Sequence, residues 1–259
     1  PSGTVGTFKI LRESRKDGHP SPVPCFLIRH PSVGPILVDT GLHPSISSDP
    51  SKNLGRMGTS FYKPELGPGE DASSQLRDKG IDPASIRLVI LTHLHIDHAS
   101  AIADFPDSTL IVTAKEWEAA TSGAMPFREG YRREQFDYAF DYRTVSFDTD
   151  DVNSYASFGR TIDLFGDGSI RLASTSGHTS GHQSVIVRLK DRDMVIGGDA
   201  VYLSSQLEPG SDLPGRIVDE HNFRRSLQEL RLFHSQYPES VITPGHDKAF
   251  YDSAPAIWE

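Results

Sequence analysis

The strongest constraint on this chain is a short run in which four metal-binding side chains occupy six consecutive residues. They are His93, His95, Asp97 and His98. The run follows directly on 87–91, a mostly apolar segment typical of a buried strand. Alternation at a strand end places the first two histidines on one side, and a turn can bring the other two groups beside them. Imidazole and carboxylate ligands together suit zinc, iron, cobalt or manganese. The run therefore predicts a metal site and not merely a polar strand end.

Three later turns repeat the same arrangement of an apolar strand followed by glycine and a potential ligand. They span 177–182, 197–199 and 244–247, and they contain His178, Asp199 and His246. Glycine lets the backbone approach a bound ion closely, so these turns predict one site on the rim of a sheet. Asp39 also ends an apolar strand. We interpret it as a partner for a ligand histidine, because metal-bound imidazoles need an acceptor for their second nitrogen.

Composition excludes several classes of protein. The chain has 259 residues and one cysteine, so neither an intramolecular disulfide nor a cysteine-rich zinc module can form. A net charge of -9 argues against nucleic acid as a partner. No apolar run approaches the ~20 residues of a membrane span. No signal peptide is visible, so we expect a cytoplasmic protein.

Strands and helices are interleaved without a linker, which predicts one domain over residues 1–259. Turn and capping signals predict helices near 71–79, 114–121 and 219–235. Residues 43–70 are rich in Ser, Pro and Gly, and we expect them to form a long loop that contacts substrate. The aromatic-rich segment 122–160 is interpreted as an insertion that acts as a lid or as a contact between two copies, so a homodimer is among the expected partners.

The order of these motifs resembles the metallo-β-lactamase superfamily. His-x-His-x-Asp-His, Gly-His, Gly-Asp and Gly-His follow one another between Asp39 and His246, so the resemblance covers nearly the whole chain. It implies an α/β fold of the mixed α+β kind, a single-domain αββα sandwich with two divalent metal ions in a cleft at one edge. Zinc is the expected metal, with iron, cobalt or manganese as alternatives.

The resemblance also implies which residues bind each ion. The first ion would be held by His93, His95 and His178. The second ion would be held by Asp97, His98 and His246. Asp199 would bridge the two ions together with a hydroxide. His182, four residues after His178, is expected to be structural.

Other residues point to one branch of that superfamily. Many β-lactamases of this fold have cysteine where this chain has Asp199, and its one cysteine, Cys25, is expected to be a buried thiol. Only 13 residues follow His246 (247–259), so we expect no C-terminal substrate domain of the glyoxalase type. The chain has a tyrosine, Tyr202, three residues after Asp199. In this spacing it resembles the N-acyl homoserine lactonases.

In that branch the implied reaction is hydrolysis of a lactone by the metal-bridging hydroxide. Asp97 and Tyr202 are the expected catalytic residues: Asp97 would relay a proton to the leaving oxygen, and Tyr202 would bind the lactone. An acyl tail needs an apolar groove. Its candidate residues besides Tyr202 are Phe61, Tyr62, Ile96, Met125 and Phe127, with Tyr131 nearby in the same segment.

Two alternatives remain open. The same site could hydrolyse another substrate, such as a different lactone, an aryl ester or a phosphodiester. A non-catalytic binding or sensor protein is less well supported, because every expected ligand position is filled.

Overall fold

A computed structural model describes residues 4–14, 20–61, 64–123, 125–137, 141–211, 213 and 217–259. The strands in these residues are β1 (Thr4–Ser14), β2 (Pro20–His30), β3 (Gly34–Val38), β4 (Leu88–Ile90), β5 (Thr109–Thr113), β6 (Asp141–Val145), β7 (Asn153–Tyr155), β8 (Phe158–Asp163), β9 (Ile170–Ser174), β10 (Gln183–Arg188), β11 (Asp193–Ile196), β12 (Val241–Thr243) and β13 (Ile257–Trp258). The α-helices are α1 (Pro50–Phe61), α2 (Ala72–Asp78), α3 (Ile96–Ala99), α4 (Ala114–Ser122), α5 (Pro126–Glu129), α6 (Glu220–Gln236) and α7 (Lys248–Ser253). None of the helices in these ranges is long and apolar enough to cross a membrane.

The strands form two sheets. The first sheet has the order β13-β1-β2-β3-β4-β5-β6, and the second has the order β12-β11-β10-β9-β8-β7. In the first sheet β3, β4, β5 and β6 run parallel, whereas the pairings of β2 with its two neighbours are antiparallel. The second sheet is antiparallel except for β11 and β12. Parallel neighbours carry their C-terminal ends to the same edge, which is where the polar turns lie.

Strict alternation of side chains in the strands builds the layers. In β2, Phe26 and Ile28 face one side and Leu27 faces the other; in β10, Ile186 faces away from Val185. One set of residues from both sheets meets in a central core between them. A side-chain period of two therefore gives each sheet two buried faces, as a four-layer sandwich requires.

Helices cover the two outer faces. Leu76 of α2 and Ala120 of α4 pack with Leu27 on the outer face of the first sheet. On the second sheet the apolar stripe of α6, which includes Phe223, Leu227, Leu230 and Phe233, packs against Ile186 and its neighbours. This αββα arrangement confirms the expected fold, and Cys25 is buried in the first of these outer layers as expected.

Capping side chains explain where the predicted helices begin. Asp71, Thr113 and Asp219 each accept a backbone N–H from the first turn of α2, α4 and α6 respectively. Such caps satisfy amide groups that have no partner inside the helix. The three helices predicted from the sequence are therefore confirmed within one or two residues.

The prediction of a long loop over 43–70 is wrong over 44–61, whereas 65–70 contains only turns and irregular backbone. Pro44–Ser47 forms a 3-10 helix, and α1 follows directly. Proline suits the first turn of a helix, and Leu54 anchors α1 in the core. Gly55 kinks α1 at φ 68°, where the guanidinium of Arg132 lies against it. Serine, proline and glycine here mark helix starts and a kink, not a loop.

The aromatic-rich segment 122–160 is built into both sheets. It supplies α5, then β6 at one edge of the first sheet and β7 at one edge of the second. Gln135 also donates to the side chain of Asn53 in α1, at 2.6 Å. The segment therefore packs against the helix that replaces the expected loop. Its role as a lid or as a contact between copies stays a prediction.

We predict that Gly177→Ala destabilises the protein more than Gly166→Ala does. Both glycines have positive φ, and alanine there costs about 1–2 kcal/mol. A Cβ at Gly177 would also lie 2.2 Å from the backbone nitrogen of Phe223, whereas one at Gly166 would meet nothing within 4 Å. Overpacking adds about 1–3 kcal/mol. Chemical denaturation measures both variants, and equal losses of stability would contradict the packing argument.

Candidate metal centre

The seven predicted ligands come from the C-terminal ends of strands in both sheets. His93 and His95 follow β4 of the first sheet, and α3 then carries Asp97 and His98. The remaining three follow β9, β11 and β12 of the second sheet: His178, Asp199 and His246. The site thus spans the common edge of the two sheets, whereas the sequence alone suggested the rim of one.

The structure brings all seven side chains together. Three groups of potential ligand atoms each lie within 4.8 Å of one another: His93, His95 and His178; His93, His98 and Asp199; Asp97, His98 and His246. The groups share His93 and His98, so they form one continuous cluster. All seven residues are buried, with Asp97 the most exposed at 9%.

Asp199 lies between the two ends of this cluster. Its Oδ2 is 3.3 Å from Nε2 of His178, while its Oδ1 is 3.3 Å from Nε2 of His98 and 3.2 Å from Nε2 of His246. Oδ2 also lies 3.3 Å from Nε2 of His246, so the carboxylate is within reach of histidines assigned to both predicted metal positions. This placement is the geometry that a bridging carboxylate needs.

The cluster has the properties of a site built for a cation. Within the described residues, Nε2 of His93, Nε2 of His98 and Oδ1 of Asp199 are buried without a hydrogen-bond partner. Buried polar atoms are normally paired, and an ion is one of the few explanations for several unpaired atoms that converge. Imidazole nitrogens with carboxylate oxygens are also the donor set that divalent transition metals take. The residues present therefore fit a metal centre.

Neighbouring groups orient two of the histidines. Oδ2 of Asp39 lies 2.8 Å from Nδ1 of His98, which confirms the partner role expected for Asp39. The same carboxylate accepts the backbone N–H of Thr92 at 2.7 Å. Nδ1 of His246 is 2.9 Å from the carbonyl oxygen of Pro22. Each contact leaves Nε2 of the histidine turned toward the cluster, as second partners of metal-binding histidines do.

Charge in the cluster favours a cation. Burial alone would lower the pKa of His98, but three neighbouring aspartates raise it well above its ordinary value. Burial also opposes the charge on His246, yet Asp199 dominates and raises that pKa to about 9. Burial would raise the pKa of Asp199, but the surrounding histidines hold it well below its usual range. The carboxylates are therefore stabilised by nearby positive charge, which protons or metal ions can supply.

His182 is a structural residue, as expected. Its Nε2 accepts the backbone N–H of Asp199 at 3.0 Å, and its Nδ1 pairs with the hydroxyl of Thr175 at 2.9 Å. Burial lowers its pKa to about 3, so the ring stays neutral and can accept that N–H. Among the described residues, the groups of potential ligand atoms do not include it.

Tyr202 lies at the edge of the cluster. Its hydroxyl is 2.9 Å from Nδ1 of His178, and its side chain is 7% exposed. Its carbonyl oxygen accepts the backbone N–H of His246 at 3.0 Å. Tyr202 therefore touches two of the predicted ligand residues.

The predicted substrate groove is only partly assembled. Met125 and Phe127 are exposed at 51% and 36%, as groove residues would be. Ile96 is 9% exposed and packs largely into the core. Tyr131 is buried at 1% against the ring of His95, with ring centroids 5.2 Å apart. The side chain of Phe61 and the whole of Tyr62 lie outside the described residues.

Sequence reasoning missed one residue at this site. Glu116, in the first turn of α4, is completely buried and accepts the backbone N–H of Leu94 at 2.9 Å. The pattern Thr-x-x-Glu from Thr113 to Glu116 is a helix-start signal that could have drawn attention to it. The pattern predicts only a helix cap, however, because the contact with Leu94 joins residues 22 positions apart.

Comparison with known proteins agrees with this geometry. The sequence profile described as Metallo-beta-lactamase superfamily matches residues 18–246. The chain is 33% identical over 228 residues to N-acyl homoserine lactonase AttM of Rhizobium radiobacter, covering 87% of this chain and 82% of that relative.

Solved structures share the fold. A B. thuringiensis AiiA variant with N-decanoyl-L-homoserine bound at its active site aligns with a TM-score of 0.77 and 22% identity, covering 97% of this chain and 96% of that one. An N-acyl homoserine lactone hydrolase with N-hexanoyl-L-homoserine bound at its catalytic metal centre aligns with a TM-score of 0.76 and 22% identity, with the same coverage.

We predict that divalent metal ions stabilise the chelator-treated protein. At a concentration about 100 times the dissociation constant, a bound ligand adds about 2.7 kcal/mol. For a chain of this size that corresponds to a rise in Tm of about 5–10 °C. Thermal unfolding with and without Zn²⁺ measures the effect. The rise should shrink in His246→Ala and persist in His221→Ala, an exposed histidine of α6; a Zn²⁺-independent Tm in the unmodified chain would contradict the metal site.

Proposed function

Because this chain belongs to the metallo-β-lactamase superfamily, we propose that it is a metal-dependent hydrolase that opens the lactone ring of N-acyl homoserine lactones. The observation that carries the proposal is the convergence of all seven expected donors in a chain whose relatives are named for this activity. The substrate is a small acyl lactone, and the reaction is hydrolysis of a carboxylic ester.

We assign the ligands to two metal positions. His93, His95 and His178 would hold the first ion, and Asp97, His98 and His246 would hold the second, with Asp199 available to both. The imidazole-rich donor set favours zinc, with iron, cobalt or manganese as alternatives. Divalent ions bound here would lower the pKa of a water molecule and polarise the lactone carbonyl. Asp39 and the Pro22 carbonyl keep His98 and His246 aimed inward.

Ring opening forms a bond between the acyl carbon and a water oxygen, breaks the bond between the acyl carbon and the ring oxygen, and moves one proton of that water to the ring oxygen. Asp97 would relay that proton. Its Oδ2 lies 3.8 Å from Nε2 of His98, at the edge of the cluster. Its side chain is 12% exposed, compared with 4% for Asp199, so it can exchange protons with solvent more readily.

Tyr202 supplies a hydroxyl next to His178, one of the residues assigned to the first metal position. A phenol there can donate a hydrogen bond to the carbonyl oxygen on which negative charge develops, a contribution typically worth a few kcal/mol. Met125 and Phe127 offer exposed apolar surface for the acyl tail. Ile96 contributes through its small exposed part, and we retain Phe61 and Tyr62 as further candidates. A cytoplasmic location and a homodimer formed through 122–160 belong to the same proposal.

We predict that the zinc-loaded protein opens N-acyl homoserine lactones and that Asp199→Asn reduces kcat/KM by about 1,000-fold, equivalent to about 4 kcal/mol. The change removes the charge of the carboxylate that faces both metal positions. A pH-drop assay over short and long acyl chains measures it, with Asp191→Asn, an exposed aspartate, as the matched control.

The same assay distinguishes the alternative hydrolase activities. Aryl esters and phosphodiesters are tested beside the lactones under identical conditions. If the metal-loaded protein left every acyl homoserine lactone intact while it cleaved one of these, the lactonase proposal would be abandoned.

We predict that Tyr202→Phe lowers kcat/KM for lactones by about 10–100-fold, the loss expected for one hydrogen bond to a charged group. The kinetics are measured at saturating Zn²⁺, because the phenol also pairs with Nδ1 of His178 and its loss lowers metal affinity. Tyr237→Phe, on an exposed tyrosine, is the control. Unchanged kinetics in Tyr202→Phe, or a loss explained by lost metal, would count against the assigned role.

A further inference from the structure

Glu116 is a buried carboxylate that the proposed reaction does not use. It lies in the first turn of α4 with no exposed surface. An ionised carboxylate in such a place is costly unless every oxygen is satisfied. The partners that satisfy it are therefore informative about why it is there.

The two oxygens of Glu116 reach two different ligand loops. Oε1 accepts the N–H of Leu94, the residue between His93 and His95, at 2.9 Å. Oε2 accepts the hydroxyl of Thr179 at 2.6 Å and the N–H of Gly181 at 3.1 Å, both just after His178. One carboxylate therefore contacts both the loop of His93 and His95 and the loop of His178. The two loops are more than 80 residues apart in the chain.

The close approach of the second loop depends on the same helix start. A Cβ at Gly181 would lie 2.1 Å from the backbone nitrogen of Glu116. Thr113 donates its hydroxyl to the carbonyl oxygen of Gly181 at 2.6 Å and caps α4 at the same time. The loop after β9 therefore packs directly against the first turn of α4.

Tyr131 adds a contact on the other side. Its hydroxyl interacts with the Glu116 carboxylate, and burial followed by that negative charge raises the pKa of Tyr131. Its backbone forms an antiparallel bridge with His95. Glu116 thus lies where both ligand loops and the segment after α5 meet.

We propose that Glu116 is a positioning residue that holds the His93–His95 loop and the His178 loop at the spacing needed for the first metal ion. The inference rests on the metal centre assigned under the proposed function. Loss of such a partner typically costs about 10–100-fold in metal affinity. The donors to Glu116 lie beside the three histidines assigned to the first ion, so one of the two metal dissociation constants should change more than the other.

Glu116→Gln tests this directly. The amide has the same shape, but its NH₂ group must face either Leu94 N–H or the donors on the second loop. Competition with a fluorescent chelator measures both Zn²⁺ dissociation constants of the full chain, and we expect one to rise about 10–100-fold. Asp71→Asn is the matched control, because Asp71 is also a buried carboxylate that caps a helix, α2, away from the cluster.

Thr179→Val is a second variant that tests the same proposal if Glu116→Gln does not fold. It removes one donor to Oε2 and preserves the shape of the side chain, so a several-fold loss of affinity at one site is expected, and Thr179→Ser should restore it. Unchanged dissociation constants in these variants, or an equal loss in Asp71→Asn, would overturn the proposal. Unmodified protein that bound no Zn²⁺ would instead overturn the proposed function, and the positioning role with it.

Discussion

Five imidazoles and two carboxylates meet at one edge of this sandwich, in a space that excludes most water. Desolvation disfavours every charged group there, and the surrounding histidines hold the pKa of Asp199 well below its usual range. The charged groups of the cluster therefore stabilise one another. Asp199 shows this most clearly, since its carboxylate lies against His98, His178 and His246 and its backbone N–H donates to His182.

The sandwich supplies the rigidity that such a set requires. Strands of both sheets end at the same edge, and the turns that follow them carry the ligands. The central core between the sheets fixes how the edges face each other. Contacts between separate segments then set the spacing of the ligand side chains. They join Asp39 to His98, Pro22 to His246, and Glu116 to the two ligand loops that it contacts.

Much of the site could be predicted because its residues are dense in the sequence. The run from His93 to His98 follows a buried strand, and each later ligand sits beside a glycine at a strand end. The αββα layers are implied by the resemblance to the metallo-β-lactamase superfamily, and side-chain alternation with the apolar stripe of α6 builds them. The prediction of a loop is wrong over 44–61, because proline and glycine do not always interrupt a helix. There they begin a helix and kink it, and burial of Leu54 favours that helix.

The sequence by itself determined the types of ligand, their order along the chain, and the apolar periodicity of α6. Those properties are local, since they depend on neighbours a few positions apart. Only the tertiary structure decided that Glu116 joins two ligand loops, that 122–160 supplies an edge strand to each sheet, and that Ile96 and Tyr131 pack inward. Each of these depends on contacts between segments far apart in the chain, and a buried hydrogen bond leaves no local pattern that identifies its distant partner.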